Sequence, residues 1–327
     1  MVEKLERPCP ACGNSTGEKL YKVRMLLPET FGIDGDYDIV SCDKCGCCYG
    51  DVLSTEEDYN NYYDNHNCYG GWQANSSSSY DLDVVIRSIG QLVPQKARIV
   101  DVGFGNGKLL AGLKQDGYSN ILGIDPSAKS VESLQEQGVP GKVGSIYDAE
   151  LDATEKADVV IFTMVLEHLL EPKKALTAIR NNLLKKDGYL VVTWPYFDDL
   201  IADNSPLMNN FNHEHINFFS KQTADVLFGR VGFQSIAHHI SLGVCKGKAL
   251  QLSNIAVYRG GANVERHRTD RDNQTKASIL EYSARVSQAE HNLLNRIEDI
   301  SRTETNVVVW RGSISLSFDE SIGTSGL

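Results

Sequence analysis

A short apolar strand running straight into three glycines at alternate positions restricts this chain more than any other stretch does. In Arg98-Ile99-Val100-Asp101-Val102-Gly103-Phe104-Gly105-Asn106-Gly107-Lys108-Leu109-Leu110, the residues Ile99, Val100 and Val102 predict a buried strand, and Lys108-Leu109-Leu110 predicts the opening of a helix. Glycine lacks Cβ and tolerates positive φ, so the turn between them lets a ligand approach the backbone closely. Helix N-terminal amides point into the same turn. The Gly-x-Gly-x-Gly spacing departs from the Gly-x-Gly-x-x-Gly dinucleotide fingerprint, and no Walker lysine follows it. A second strand, Ile121 to Asp125, ends in an acid about twenty residues on, where open α/β folds hold a ribose diol.

The alternation continues downstream. Leu82, Val85, Ile86, Ile89 and Val93 recur at helical spacing, with Pro94 as the stop. Lys129 to Gln137 predicts a helix, Gly141 to Ile146 a third strand, and Asp158 to Phe162 a fourth, apolar enough to be central. Pro172 opens an amphipathic run through Ala175, Leu176, Ile179, Leu183 and Leu184, and Gly188 precedes a fifth strand, Tyr189 to Thr193. Ser220 is placed as the N-cap of a helix through Val231, and Gly232-Phe233 closes it and begins a strand; Ala249 to Tyr258 reads as the last one. Asp272 to Ile300 predicts an amphipathic helix docked on the main domain. Such alternation implies a mostly parallel sheet with helices on both faces.

The pair Asp101-Val-Gly-Phe-Gly-Asn-Gly107 and Gly123-Ile-Asp-Pro-Ser127 resembles the first two motifs of class I S-adenosylmethionine-dependent methyltransferases. The resemblance implies an α/β, doubly wound, mostly parallel seven-stranded sheet of Rossmann-like type. It also implies a cofactor site. Asp101, Gly103, Phe104, Gly105, Asn106 and Gly107 would hold the methionine moiety, and Asp125, followed by Pro126, the ribose hydroxyls. Ser145 and Ile146 would flank adenine, and Thr163, Met164 and the residues to Glu167 would close the pocket floor. Thr163 to Leu169 resembles the Leu-Glu-His motif of many small-molecule methyltransferases, which puts His168 in the lining of the site.

Cys9-Pro-Ala-Cys12-Gly and Cys42-Asp-Lys-Cys45-Gly are two CxxCG knuckles, and together they supply four soft ligands for a tetrahedral, structural Zn²⁺. Cys47 and Cys48 adjoin the second knuckle; Cys42 and Cys45 match the first pair better. Leu20 to Val23 and Tyr37 to Val40 predict short strands between the knuckles, with too little core to fold without metal. The stretch Asp58 to Tyr80, rich in Tyr, Asn, Ser and Gly, reads as a loop and linker whose aromatics either contact substrate or pack on the next domain.

With 327 residues the chain has room for one large core and a smaller module. A net charge of −11 argues against a nucleic-acid polymer as partner. No apolar run approaches membrane-spanning length, and the first residues lack a signal-peptide core, so no membrane partner and a cytoplasmic location are expected. In that compartment the eight cysteines serve as metal ligands or free thiols rather than disulfides.

Phe211-Asn-His-Glu-His-Ile-Asn-Phe-Phe-Ser220, with its run of ionisable groups before a helix and Gly-Phe, resembles a zinc-containing group of nucleotide-sugar C-methyltransferases. That likeness spans residues 9 to roughly 258. It implies a small-molecule acceptor, most readily a nucleotide-linked keto-deoxysugar, and a general base at His215 with Glu214 beside it and His168 near. The family carries a tyrosine where this chain has Asn212, which leaves O- or N-methylation of another small metabolite open; a non-catalytic cofactor- or partner-binding module is the reading from a different class. Val307 to Trp310 resembles the first strand of the family's terminal lobe, and Arg311-Gly-Ser313 follows in place of its glycine turn. The domains expected are a zinc-ribbon-like module over 1–57, the loop and linker over 58–80, the methyltransferase domain over 81–260, and a helix with an incomplete lobe over 261–327.

Overall fold

In a computed structural model, residues 1–66, 80–200, 211–245, 249–261 and 271–303 are described. Two sheets organise them. The smaller begins with β1 (Glu3–Lys4), β2 (Thr16–Arg24), β3 (Asp36–Cys42) and β4 (Cys48–Asp51), all antiparallel, with the expected strands inside β2 and β3. The first part of the tyrosine-rich stretch is then a helix, α1 (Glu56–His66), and not a loop. Its start explains the difference. Thr55 Oγ1 accepts from the Asp58 amide, Asp58 Oδ2 accepts from the Thr55 amide, and three acids fill the first turn, which is a reciprocal cap on the positive helix end. Tyr59 and Tyr62, three apart, are thereby buried on one face. Tyr69, Trp72 and Ser76 to Ser79 lie outside the described residues.

The larger sheet follows α2 (Tyr80–Leu92) and comprises β5 (Ile99–Val102), α3 (Lys108–Gln115), β6 (Ile121–Asp125), α4 (Ala128–Glu136), β7 (Gly141–Val143), β8 (Ala157–Thr163), α5 (Pro172–Ala178) and β9 (Leu184–Pro195). After β10 (Asn217–Phe218) come α6 (Lys221–Val231), β11 (Phe233–Cys245) and β12 (Ala249–Gly260). The strand order is β11-β12-β9-β8-β5-β6-β7, with β5 to β9 parallel and the β11–β12 pair antiparallel. This is the expected seven-stranded, mostly parallel sheet.

Two elements differ from expectation. β7 stops at Val143, because Gly144 donates back to the Asp125 carbonyl and Ser145 opens a turn. β9 starts at Leu184, because α5 widens into a π turn over Ile179–Leu183 and releases the chain early. The register against β8 then slips between Ala157 and Val159. Gly188 sits beside that slip, where a Cβ would meet Leu184 Cδ1 at 2.8 Å and the Asp158 carbonyl at 3.0 Å. Ser220 caps α6 with Thr223 in a reciprocal box, and Gly232 ends it at φ +89°.

β10 does not belong to the larger sheet. It pairs antiparallel with β4, Asn217 opposite Tyr49 and Phe218 opposite Cys48, and completes the smaller sheet. A shared apolar cluster lies beneath it: Val23, Tyr37 and Ile39 from the first module, Tyr59 and Tyr62 from α1, and Phe197, Phe211 and Phe218 from the second half. The module therefore borrows its core from distant chain. The final helix, α7 (Gln274–Thr303), also docks here: Ile279, Tyr282 and Val286 enter this cluster beside Phe197 and Phe211, the Leu200 amide donates to Ser278 Oγ, and Lys276 pairs with Glu18. Asp272, just before α7, donates its amide to the Cys45 carbonyl, so close to Gly46 that a Cβ there would lie 1.9 Å from the Asp272 oxygen. Val307 to Trp310 and Arg311 to Ser313 lie outside the described residues. Among those described, no helix is long and apolar enough to cross a membrane.

Candidate active site

The glycine turn leaves the carboxyl end of β5 with all three glycines left-handed, at φ +72°, +59° and +71° for Gly103, Gly105 and Gly107. Gly103 and Gly107 are also sterically obliged, since a Cβ would meet Val165 Cγ2 at 2.8 Å and Leu134 Cδ1 at 2.7 Å. Among the described residues nothing lies within 4 Å of a Cβ at Gly105, so the turn is open to a ligand there. Phe104 turns inward against Gly123, so it can offer a cofactor only its backbone. Asn106 Oδ1 accepts from the amide of Lys108, the first residue of α3, at 3.1 Å.

Two acids face this turn. Asp125 is buried and accepts the Gly105 amide at 3.0 Å and the Ser127 amide at 2.9 Å. Burial raises its pKa, and those two bonds resist the rise. Asp101 is 1% exposed, and its Oδ1 has no hydrogen-bond partner among the described residues. Burial, reinforced by the charge of Asp125, pushes its pKa up to about 8. A buried carboxylate without donors calls for a cationic group. The open cradle and the donor-starved acid thus fit a zwitterionic, cationic cofactor. Pro126 follows Asp125 in the turn before α4, and Ser145 and Ile146 lie in the turn beyond β7, on the same carboxyl edge of the sheet.

The next strand end carries strain. Thr163 ends β8, and Met164 follows at φ +52°, left-handed without being glycine, a conformation that costs roughly 1–3 kcal/mol and gathers at functional sites. Its amide donates to the Thr193 carbonyl. A tight turn over Leu166–His168 then brings Glu167 and His168 against residues 212–217. Ile216 donates its amide to the Glu167 carbonyl at 3.0 Å, and His168 Nδ1 lies 3.1 Å from the Glu214 carbonyl. A carbonyl only accepts, so Nδ1 carries the proton and Nε2 presents its lone pair. That nitrogen stands 3.8 Å from Glu167 Oε1. Both Glu167 oxygens lack hydrogen-bond partners among the described residues, and burial pushes this acid up to about 8.

His168 and His215 meet edge to face, 5.0 Å between centroids. His215 Nδ1 is buried without a partner among the described residues. Its pKa falls well below the ordinary histidine value, first through burial and then through the neighbouring His168 and His213; that of His168 falls through burial. Both are neutral bases at physiological pH. Asn212 Oδ1 accepts the Glu214 and His215 amides, each at 2.8 Å, and so shapes the turn that presents them. His213 Nε2 approaches the Tyr62 hydroxyl at 2.7 Å, and that hydroxyl donates to Glu214 Oε1 at 2.8 Å.

The structure thus brings together His168, Glu214 and His215, and it adds Tyr62 and His213. Tyr62 was missed as a site residue because its stretch reads as a loop, although the three-residue spacing of Tyr59 and Tyr62 could have placed both on one helix face, and nothing local marked His213 above its neighbours. Ligand atoms of Glu167, His168 and His215 lie within 4.8 Å of one another, near enough to hold a cation.

The sulfurs of Cys9, Cys12, Cys42 and Cys45 are likewise within 4.8 Å of each other, with Cys9–Cys45 at 3.6 Å and Cys12–Cys42 at 3.5 Å. Four ligands at about 2.3 Å from a tetrahedral zinc stand roughly 3.8 Å apart, so this set fits the ion. Cys47 and Cys48 instead direct their thiols to the carbonyls of Cys48 and Gly46, and burial raises both pKa values.

Residues 79–238 match the family model described as a methyltransferase domain. Curated relatives include the tRNA 5-carboxymethoxyuridine methyltransferase of Escherichia coli K12, 27% identical over 141 residues, 41% of this chain and 52% of that protein. A protein-lysine N-methyltransferase of Saccharomyces cerevisiae is 25% identical over 205 residues, 54% of this chain and 86% of that protein. The chain spans about half the length, 52%, of the first of these relatives. Among solved structures, magnesium protoporphyrin IX methyltransferase from Synechocystis with bound SAH is similar at 16% identity and a TM-score of 0.43, covering 55% of this chain and 81% of that one.

Proposed function

We propose, from the premise that residues 79–238 are a class I S-adenosylmethionine-dependent methyltransferase domain, that this chain methylates a small molecule, most readily a nucleotide-linked keto-deoxysugar at carbon. The observation that carries the reading is the meeting of Glu167, His168, Glu214 and His215 at the edge that also holds the glycine turn. Gly103 approaches Val165 so closely that a Cβ would lie 2.8 Å from its Cγ2, which brings the two halves of that edge together.

S-adenosylmethionine, when bound, supplies an electrophilic methyl on sulfonium. Asp101 would meet the cationic methionine end, and the Gly103–Gly107 turn would admit it. Asp125 would receive the ribose hydroxyls. Ser145 and Ile146 would border adenine, while Thr163, Met164 and Glu167 would floor the pocket. His215, held neutral by its surroundings, would take the acceptor's proton as general base. Glu214, oriented by Tyr62, and His168 would orient the acceptor and share the charge that develops. For a keto sugar the proton removed is the one beside the carbonyl; for a hydroxyl acceptor the same base gives an O-methyl product.

The four-cysteine set would hold a structural Zn²⁺, leaving no open ligand position. The net charge of −11 supports a small acceptor over a nucleic-acid backbone. Nonetheless, the E. coli relative is named for a tRNA nucleoside and the yeast relative for protein lysine, so both classes belong in the test. The protein would be incubated with methyl-labelled cofactor and three acceptor panels: nucleotide-linked keto sugars, bulk tRNA and lysine-containing protein. Label in the sugar fraction with stoichiometric S-adenosylhomocysteine supports the reading. Label confined to tRNA or protein overturns the acceptor, and cofactor binding with no product overturns catalysis.

A further inference from the structure

Two residues before the first knuckle, Arg7 is buried, at 6% exposure. Among the described residues it forms no ion pair. Its donors go to neutral acceptors on three separate segments. Nη1 reaches the carbonyls of Gly50 at 3.3 Å and Ile216 at 3.1 Å. Nη2 reaches the carbonyls of Leu169 at 3.2 Å and Leu170 at 2.8 Å, and Asn217 Oδ1 at 2.8 Å. Gly50 lies on β4, just beyond the second knuckle. Leu169 and Leu170 follow the turn bearing Glu167 and His168, and Ile216 and Asn217 follow Glu214 and His215. Asn217 returns its amide to the carbonyls of Leu166 and Leu169, at 3.0 and 2.7 Å. Arg7 is itself fixed: its amide donates to Asp51 Oδ1 at 2.7 Å, and Tyr49 Oη donates to its carbonyl at 3.0 Å.

We propose that Arg7 is a positioning residue that fastens the cysteine-bearing module to both segments of the acceptor site, so that metal held by Cys9, Cys12, Cys42 and Cys45 sets the placement of His168 and His215. The inference rests on the reading of those histidines as acceptor-side groups. A planar fork suits this junction, since it meets several carbonyls from fixed directions, whereas a lysine offers one compact donor group. A buried charge lacking a counter-ion persists only where its N–H groups are met, so the carbonyls and the guanidinium depend on one another. The metal enters through the chain itself. Cys9 is two residues from Arg7, and Cys42 and Cys45 frame the entry to β4. Loss of the ion frees both ends of the Arg7 anchorage together. The glycine turn lies on another sheet and shares none of these bonds.

The test uses Arg7→Lys in the full chain and, independently, wild-type protein stripped of metal by a chelator. Zinc content, S-adenosylmethionine Kd, backbone amide exchange and the ¹H NMR titrations of His168 and His215 are read on each sample. In Arg7→Lys, zinc content and cofactor Kd should stay within about twofold. Exchange of the Ile216 and Gly50 amides should rise at least tenfold, and both histidines should titrate nearer the ordinary value as water reaches them beside Glu167, Glu214 and His213. Stripped wild type should show the same local changes while the Gly103 and Gly105 amides stay protected. Unchanged exchange and titration in either sample overturns the proposal. So does uniform loosening that includes the glycine turn, because Arg7 is then a general stabiliser. Failure of the wild-type protein to bind S-adenosylmethionine would sink the proposed function instead, and would leave the exchange comparison standing.

Discussion

Cofactor affinity should depend on pH through Asp101, and the dependence follows from its surroundings. In the free protein, burial and then the charge of Asp125 hold this acid at about 8, so at neutral pH it is mostly protonated. A cationic methionine end favours the carboxylate, and binding therefore has to release the proton. Affinity rises with pH as the acid ionises, and Kd scales as one plus ten to the power of the pKa minus the pH. With a pKa of about 8, Kd is about 100 times its limiting value at pH 6 and about 11 times at pH 7, a change of roughly ninefold over one unit. The cofactor's own α-amino group titrates near ~7.7–8.0, so the measurement belongs below pH 7.5. Isothermal titration at pH 6 and 7, in two buffers of different ionisation enthalpy, gives both Kd and the proton released. Burial also raises Asp125; Asp101→Asn leaves that acid in place, so the difference between wild type and variant belongs to Asp101. A wild-type Kd that changes less than twofold, with no proton release, would refute the reasoning, because Asp101 would then be ionised already or remote from the bound cation. The same linkage makes the free protein lose stability as pH rises from the ordinary aspartate range towards 8. The thermal shift given by S-adenosylmethionine should accordingly be larger at pH 7 than at pH 6.

Freshly purified protein should contain one zinc per chain by elemental analysis, and Cys9→Ser plus Cys42→Ser should abolish it; full retention of metal would place the ion elsewhere. Asp125→Ala should weaken S-adenosylmethionine at least tenfold by titration, since each charge-assisted bond is worth roughly 1.5–3 kcal/mol. It should also lower Tm, because the Gly105 and Ser127 amides lose their acceptor; unchanged Kd would remove Asp125 from the ribose site. Once an acceptor is identified, His215→Ala should lower kcat by roughly 10²–10⁴-fold with cofactor Kd nearly constant, while His168→Ala should be milder and affect both. Near-normal turnover in a folded His215→Ala protein would exclude His215 as base.

What could be read in the sequence was what is local. The strand, the alternate glycines and Asp125 lie within one βα unit and its neighbour, and their residue types alone dictate the turn. The knuckles are legible for the same reason, each being closed within a few residues. The acceptor side is not local. Glu167 and His168 meet Glu214 and His215 only because Ile216, Asn217 and Arg7 tie their backbones together, and no periodicity encodes that contact. Two residues in extended conformation, Asn217 and Phe218, are too short to stand out as a strand. The amphipathic pattern of α7 announced an apolar face but not its destination, which the cluster shared by β2, β3, Phe197 and Phe211 provides. α1 was hidden by its asparagines and tyrosines, poor helix formers that the Thr55–Asp58 cap overrides.

The crossing of β10 into the smaller sheet bears on how the chain is made. The knuckles are synthesised well before β10 and can gather a metal ion early. Their sheet, however, keeps the edge of β4 bare until Asn217 and Phe218 arrive, after the whole parallel half of the other sheet has been synthesised. An exposed edge of this kind is a template for pairing with another chain, and long-range strand pairing is slow. During that interval the nascent module is the segment most open to misassembly, and a fragment ending before β10 carries the same hazard permanently. Arrival of β10, rather than metal capture, would therefore be the step that commits the smaller sheet to its final form.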